Sequence, residues 1–141
     1  MPIALTKIAY TTAATSKGGR AGHVTSADGV IDLDLAQPGS FAGDPKANPE
    51  TLFAAGYSAC FQGALTNRAK TKGIDASDST VIAEVSFGPS DDGGFGLAVE
   101  LKASIPGVGP EQVRELLELA HEFCPYSKAT RGNIDVTLTV V

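Results

Sequence analysis

Apolar and polar residues alternate in short runs along much of this 141-residue chain, with two longer stretches of a different period between them. Over residues 3–14, Ile3, Leu5, Ile8 and Tyr10 stand among threonines and alanines, a weak strand signal. Asp28-Gly29 predicts a turn between His23-Val24-Thr25 and Ile31-Asp32-Leu33-Asp34-Leu35, a run that alternates apolar with acidic as a half-buried strand does. Gln37-Pro38-Gly39-Ser40 and Gly43-Asp44-Pro45 predict a loop. Val81, Ala83, Val85 and Phe87, and then Leu97, Val99, Leu101 and Ala103, make two alternating runs around the turn-rich 88–94 segment, a hairpin. Ile134, Val136, Leu138 and Val140 alternate with Asp135, Thr137 and Thr139 in a last strand.

The two longer stretches predict helices. Asn48-Pro49-Glu50 opens the first: Asn48 can cap, Pro49 suits the first helical position and Glu50 favours the positive end of the dipole. Thr51 to Asn67 contains no charged residue, and Gly56, Ser58, Ala59, Gly63 and Ala64 are small, which predicts a helix buried nearly all round inside a soluble fold. Arg68, Lys70 and Lys72 complement its last turns and Gly73 ends it. From Pro49 to Lys72 it spans about 36 Å, long for a 14.4 kDa monomer, and this points to a dimer that shares the helix. Pro110 opens a second helix with the apolar stripe Val113, Leu116, Leu117, Ala120 and Phe123, and Pro125 ends or kinks it just after Cys124. The class is α+β, two helices and about six strands, and nothing divides residues 1–141 into more than one domain.

Composition narrows the function. Eleven basic residues against sixteen acidic ones, a net charge of −5, argue against a nucleic-acid surface. Met1-Pro2-Ile3-Ala4-Leu5-Thr6-Lys7 shows no targeting signal, and the uncharged helix carries too many polar and small residues for a membrane span, so a cytoplasmic location with reduced thiols is expected. That makes the two cysteines, Cys60 and Cys124, the residues of interest: catalytic, redox-sensing or metal-binding before structural staple.

Cys60 lies within the uncharged helix. It reads either as a small buried hydrophobe or as a nucleophile, and a nucleophile needs a cation to hold its thiolate, because burial alone favours the thiol. Arg20, after Gly18-Gly19, is the candidate cation, against a plain surface arginine. Glu50, ten residues before Cys60, is the one acid of the helix; it either complements the dipole or grips an arginine through a bidentate pair. Cys124, in His121-Glu122-Phe123-Cys124-Pro125-Tyr126-Ser127, is core filling at a helix end or a resolving thiol. His121 and Cys124 also have the spacing of two zinc ligands, and Cys60 with His23 would complete a four-ligand site.

Three segments carry a resemblance. Asn48-Pro49-Glu50-Thr51-Leu52-Phe53-Ala54-Ala55-Gly56-Tyr57-Ser58-Ala59-Cys60-Phe61 resembles the central-helix motif of the Ohr/OsmC family. Cys124-Pro125-Tyr126-Ser127-Lys128-Ala129-Thr130-Arg131-Gly132-Asn133 resembles its second-cysteine motif, and Gly18-Gly19-Arg20 its arginine segment. The Cys-Pro-Tyr-Ser run and the length are similar to the organic hydroperoxide resistance branch. The resemblance implies an OsmC-like fold of antiparallel sheets around a long buried central helix, in an intertwined homodimer. It implies a peroxidase for organic hydroperoxides that binds no cofactor or metal and is recycled by an external lipoyl dithiol. Carried over by position, Cys60 is the peroxidatic cysteine, Cys124 the resolving one, Arg20 the thiolate partner and Glu50 the residue that orients Arg20. Phe53, Tyr57, Phe61 and Phe123 would suit an alkyl or fatty-acid hydroperoxide. A redox sensor or binding module, the zinc site, and an inert interaction protein are the rival readings.

Overall fold

The computed structural model describes residues 2–39 and 45–141, so part of the predicted 37–45 loop, including Gly43-Asp44, lies outside the described residues. The chain forms two compact units, residues 1–49 and 50–141.

In the first unit, strands β1 (Ala14–Lys17), β2 (His23–Ser26) and β3 (Asp32–Asp34) form an antiparallel sheet in that order. The Asp28-Gly29 turn is where the sequence puts it. Gly29 takes φ +74°, Ser26 N–H donates to the Ile31 carbonyl at 2.8 Å, and the Asp28 carboxylate accepts from Val30 N–H at 3.0 Å. Between β1 and β2 the backbone pinches into a 3-10 turn over Gly19–Ala21. Gly22 is obligatory there, since a Cβ on it would lie 1.8 Å from the Lys17 carbonyl oxygen. The expected strand over 3–14 does not form: regular structure starts only at Ala14. The spacing explains this. Ile3 and Leu5 share one face of an extended chain, but the three-residue step to Ile8 puts Ile8 and Tyr10 on the other, so the four do not make one apolar face to pack on the sheet.

The second unit begins with α1 (Pro49–Thr71), with Pro49 and Glu50 in its first turn and Arg68 and Lys70 in its last. Gly73, at φ +73°, turns the chain out, and Ile74 N–H closes back on the Ala69 carbonyl at 2.9 Å. At 1.5 Å per residue, the 23 residues span about 34 Å. The helix is not buried all round. Tyr57, Phe61, Ala64, Leu65 and Ala69 are buried, while Thr51, Ala55, Ala59, Gly63 and Asn67, four apart and thus in line on another face, are exposed in the single chain.

Strands β4 (Thr80–Pro89) and β5 (Phe95–Ser104) form the expected hairpin, with Thr80 opposite Ser104 and Pro89 opposite Phe95. Helix α2 (Pro110–Phe123) buries Val113, Leu116, Leu117 and Ala120. Two points differ from the sequence expectation. Pro125 does not simply end a helix: it occupies the first position of a further one, α3 (Pro125–Thr130), too short to show a period. And β6 (Asp135–Val140) lies parallel, not antiparallel, to β5, because the helical crossover through α2 and α3 returns the chain to the starting end of the sheet. The core of this unit joins Tyr57, Phe61 and Leu65 of α1, Val99, Leu101 and Ala103 of β5, Val113, Leu116, Leu117 and Ala120 of α2, and Cys124.

Candidate active site

Both cysteines belong to the second unit. Cys60, partly buried on α1, and Cys124, fully buried between α2 and α3, are free thiols with their sulfurs 3.4 Å apart. Cys124 Sγ–H donates to Cys60 Sγ. A disulfide requires about 2.05 Å, so a closure of roughly 1.4 Å separates this arrangement from a bond. Two residues 64 positions apart in sequence are therefore brought together by the packing of α3 on α1.

That packing has an identifiable basis. The Tyr126 ring lies against α1 where Gly56 leaves room: a Cβ on Gly56 would meet Tyr126 Oη at 3.0 Å. Phe53, Tyr57 and Tyr126 form an aromatic trio with centroids 5.6 to 6.3 Å apart. Beneath it, the buried Tyr57 hydroxyl meets Ser127 Oγ at 2.8 Å and Thr130 Oγ1 at 3.0 Å. At the far end of the pair, the Arg68 guanidinium stands 4.2 Å over the Phe123 ring, tying the later turns of α1 to the end of α2.

Electrostatics bear out the expectation that the helix interior opposes a thiolate. Burial, first, pushes the Cys60 thiol up, and the neighbouring Cys124 adds to this; a hydrogen bond from the Tyr126 backbone N–H pulls the other way without winning. A cation beside such a thiol would favour the thiolate. Arg20 sits in the 3-10 turn of the first unit, exposed, and Glu50 in the first turn of α1.

Tyr57 and Phe61 are core residues with no exposed surface, so among the four rings expected to receive a substrate tail only Phe53 and Phe123 retain accessible area. The zinc constellation does not assemble: among the described residues no three His, Cys, Asp or Glu side chains gather as metal ligands would. The ring nitrogens of His23 meet Asp34 Oδ1, at 2.7 Å, and Asp32 Oδ1 instead. His121 lines a separate groove of about 800 Å³ with Arg131, Asn133 and the Ser90–Asp92 turn, a groove that contains neither cysteine. Sequence reasoning missed Ser127 and Thr130. The signal was present as two hydroxyl residues three and six positions after Cys124, but only the α3 turn, which was not foreseen, aims them at Tyr57.

Fold and site together define an α+β protein with a helix-borne thiol facing a second thiol across a helix junction. The family model for OsmC-like proteins matches residues 42–139. An organic hydroperoxide resistance protein, OhrB, of Bacillus subtilis is 50% identical over 131 residues, covering 92% of this chain and 96% of its own. An organic hydroperoxide resistance protein of Xanthomonas axonopodis pv. citri is 45% identical over 142 residues, with 95% and 96% covered. The crystal structure of the Bacillus subtilis OhrB superimposes with a TM-score of 0.88 at 49% identity, covering 94% of this chain and 98% of that one. That of an organic hydroperoxide resistance protein from Elizabethkingia anophelis gives 0.86 at 53%, with 95% and 97% covered. The chain belongs to the OsmC-like family, on its organic hydroperoxide resistance branch. No helix among the described residues is long and apolar enough to cross a membrane.

Proposed function

We propose that this protein is a thiol peroxidase that reduces organic hydroperoxides to alcohols. The observation that carries the reading is the pair of free thiols 3.4 Å apart, one partly accessible and one buried. Cys60, as thiolate, attacks the distal oxygen of ROOH. The O–O bond breaks, ROH leaves with a proton, and Cys60 becomes a sulfenic acid. Cys124 then attacks the Cys60 sulfur. The S–O bond breaks, an S–S bond forms and water departs. An external lipoyl-type dithiol restores both thiols by two exchanges, itself becoming a disulfide.

In this reading Arg20 supplies the cation that holds Cys60 as thiolate against the burial that pushes its thiol up, and stabilises charge on the departing alkoxide, and Glu50 fixes the guanidinium plane. The functional unit is a homodimer. The exposed line Thr51, Ala55, Ala59 and Gly63 on α1 supports that part, as do the bare apolar side chains of residues 3–10.

The test is steady-state consumption of tert-butyl and cumene hydroperoxide with dihydrolipoamide, on wild type, Cys60→Ser and Cys124→Ser. Wild type turns over, Cys60→Ser does not, and Cys124→Ser reacts once and then overoxidises. Equal, negligible consumption by wild type and Cys60→Ser would sink the peroxidase reading in favour of a sensor or an inert fold.

A further inference from the structure

We propose that the buried hydroxyls of Tyr57, Ser127 and Thr130 are a positioning device for the second chemical step: they hold α3 on α1 so that Cys124 stays within reach of Cys60 once Cys60 has been oxidised. The inference rests on the two-thiol reading above and deepens it.

The tether is placed for this purpose. Tyr57 is three residues, one turn, before Cys60; Ser127 is three residues after Cys124. The contact between them therefore sits one step from each sulfur. One arrangement of its hydrogen bonds uses every proton. Thr130 Oγ1–H donates to the Ser127 carbonyl at 3.3 Å, so the Thr130 oxygen accepts at 3.0 Å from Tyr57 O–H. The Tyr57 proton is then spent, so at 2.8 Å Ser127 Oγ–H donates to the Tyr57 oxygen. All three protons are used in one chain, within a core where Tyr57 and Ser127 have no exposed surface and Thr130 only 6%. Removing the Tyr57 hydroxyl leaves Ser127 without an acceptor and Thr130 without a donor, out of reach of water.

Packing alone would be served by phenylalanine at 57, since Phe53 and Tyr126 already flank the ring. What the hydroxyl adds is a fixed register between two helices. The chemistry needs that register because the sulfurs have only about 1.4 Å to close, and a misplacement of about 1 Å costs on the order of a hundredfold in such a step. Tyr57, Ser127 and Thr130 touch no reacting atom; they are positioning residues, and their loss is expected to separate the two steps. Cys60 is still oxidised, while water release and S–S formation lag.

The experiment mixes reduced full-length protein with one equivalent of tert-butyl hydroperoxide. It follows sulfenic acid by dimedone trapping and disulfide by quenched mass analysis. Tyr57→Phe and the isosteric Thr130→Val are expected to slow disulfide formation at least roughly tenfold more than the first oxidation, so that sulfenic acid accumulates. Thr130→Ser, which keeps the hydroxyl, is expected to stay near wild type. Leu65→Ala, a buried α1 change that removes no hydroxyl, serves as the stability control. Wild-type disulfide rates in Tyr57→Phe and Thr130→Val would overturn the inference. So would an equal lag in Leu65→Ala at matched thermal stability, because the hydroxyls would then act only through overall folding. A wild type that consumes peroxide and forms no Cys60–Cys124 disulfide overturns the two-thiol reading and this inference with it. A wild-type disulfide with no lag in the variants overturns the inference alone.

Discussion

The two units differ in what supports them. Residues 50–141 bury a continuous core from α1, β5 and α2, and both thiols are seated in it. In residues 1–49, among those described, only Leu35 is buried, while Leu5 and Tyr10 are 79% and 82% exposed. The three strands there, of four, four and three residues, are held by hydrogen bonds and a tight turn, and a sheet so small is marginal without a surface to pack on. The chemistry proposed here follows the same division. Resolution needs Cys60, Cys124 and the helix junction, all within the self-supporting unit. In the proposed cycle, activation is assigned to Arg20, on a turn of the unit in which only Leu35 is buried among the described residues. The proposal thus places resolution in the unit with its own core and activation in the unit with almost none.

The sharpest way to break this comparison is Arg20→Ala. If activation is delegated to the first unit, Cys60 falls back on its own surroundings, which push its thiol up. A raised pKa leaves less thiolate at neutral pH, so the first oxidation at pH 7 is expected to slow at least roughly tenfold. The rate-against-pH curve should move to the alkaline side, because a raised pKa means the reactive form appears only at higher pH. Disulfide formation after that step should be little changed. Stopped-flow oxidation from pH 5 to 10 checks both, and an unmoved curve would show that Cys60 is activated from elsewhere.

A smaller effect tests what supports the first unit. Replacing Leu5, Ile8 and Tyr10 together by serine removes apolar surface that the single chain leaves bare. If a second copy covers it, the dimer dissociation constant rises roughly ten- to a hundredfold or more, and sedimentation velocity at micromolar concentration shows monomer. The hydrogen exchange of β5 and α2 amides, in the unit with its own core, should hold. Unchanged sedimentation would remove these side chains from any interface.

The same division governs how much was legible in the sequence. Where a segment buries one face, its period is visible: β4, β5, β6 and the α2 stripe match the alternation that predicts them, and α1 carries Pro49 and Glu50 in its first turn and Arg68 and Lys70 in its last, as expected. Residues 3–12 show apolar side chains that follow no single face, and they lie outside every strand of the described chain. The exposed line on α1 was invisible because small uncharged residues look alike whether buried or bare. Both cysteines, Arg20 and Glu50 were picked out by motif, and the structure brings the cysteines together. The parallel β6, helix α3 and the Ser127 and Thr130 contacts were not legible, since each depends on a crossover or a one-turn helix that leaves no periodic trace.

The smallest expected effect concerns His23, which clips β2 to β3 by contacting Asp34 directly opposite and Asp32 on the same face. The hydrogen bond that His23 donates to Asp34, then the one it donates to Asp32, raises the histidine pKa above its ordinary value, and the contact with His23 lowers that of Asp34. A group whose folded pKa exceeds its unfolded one, about 6.5 for histidine, stabilises fully below that unfolded value and loses the contribution as pH climbs through the folded one. The first unit's sheet should therefore be better protected at pH 5.5 than at pH 8.5, and the difference should shrink in high salt because the cluster is exposed. An NMR titration of the His23 ring is expected to show a midpoint above that of a free histidine, falling toward it in Asp34→Asn. A wild-type midpoint at or below the free value would mean that this clip does not hold the sheet, and that the first unit draws its order wholly from whatever covers it.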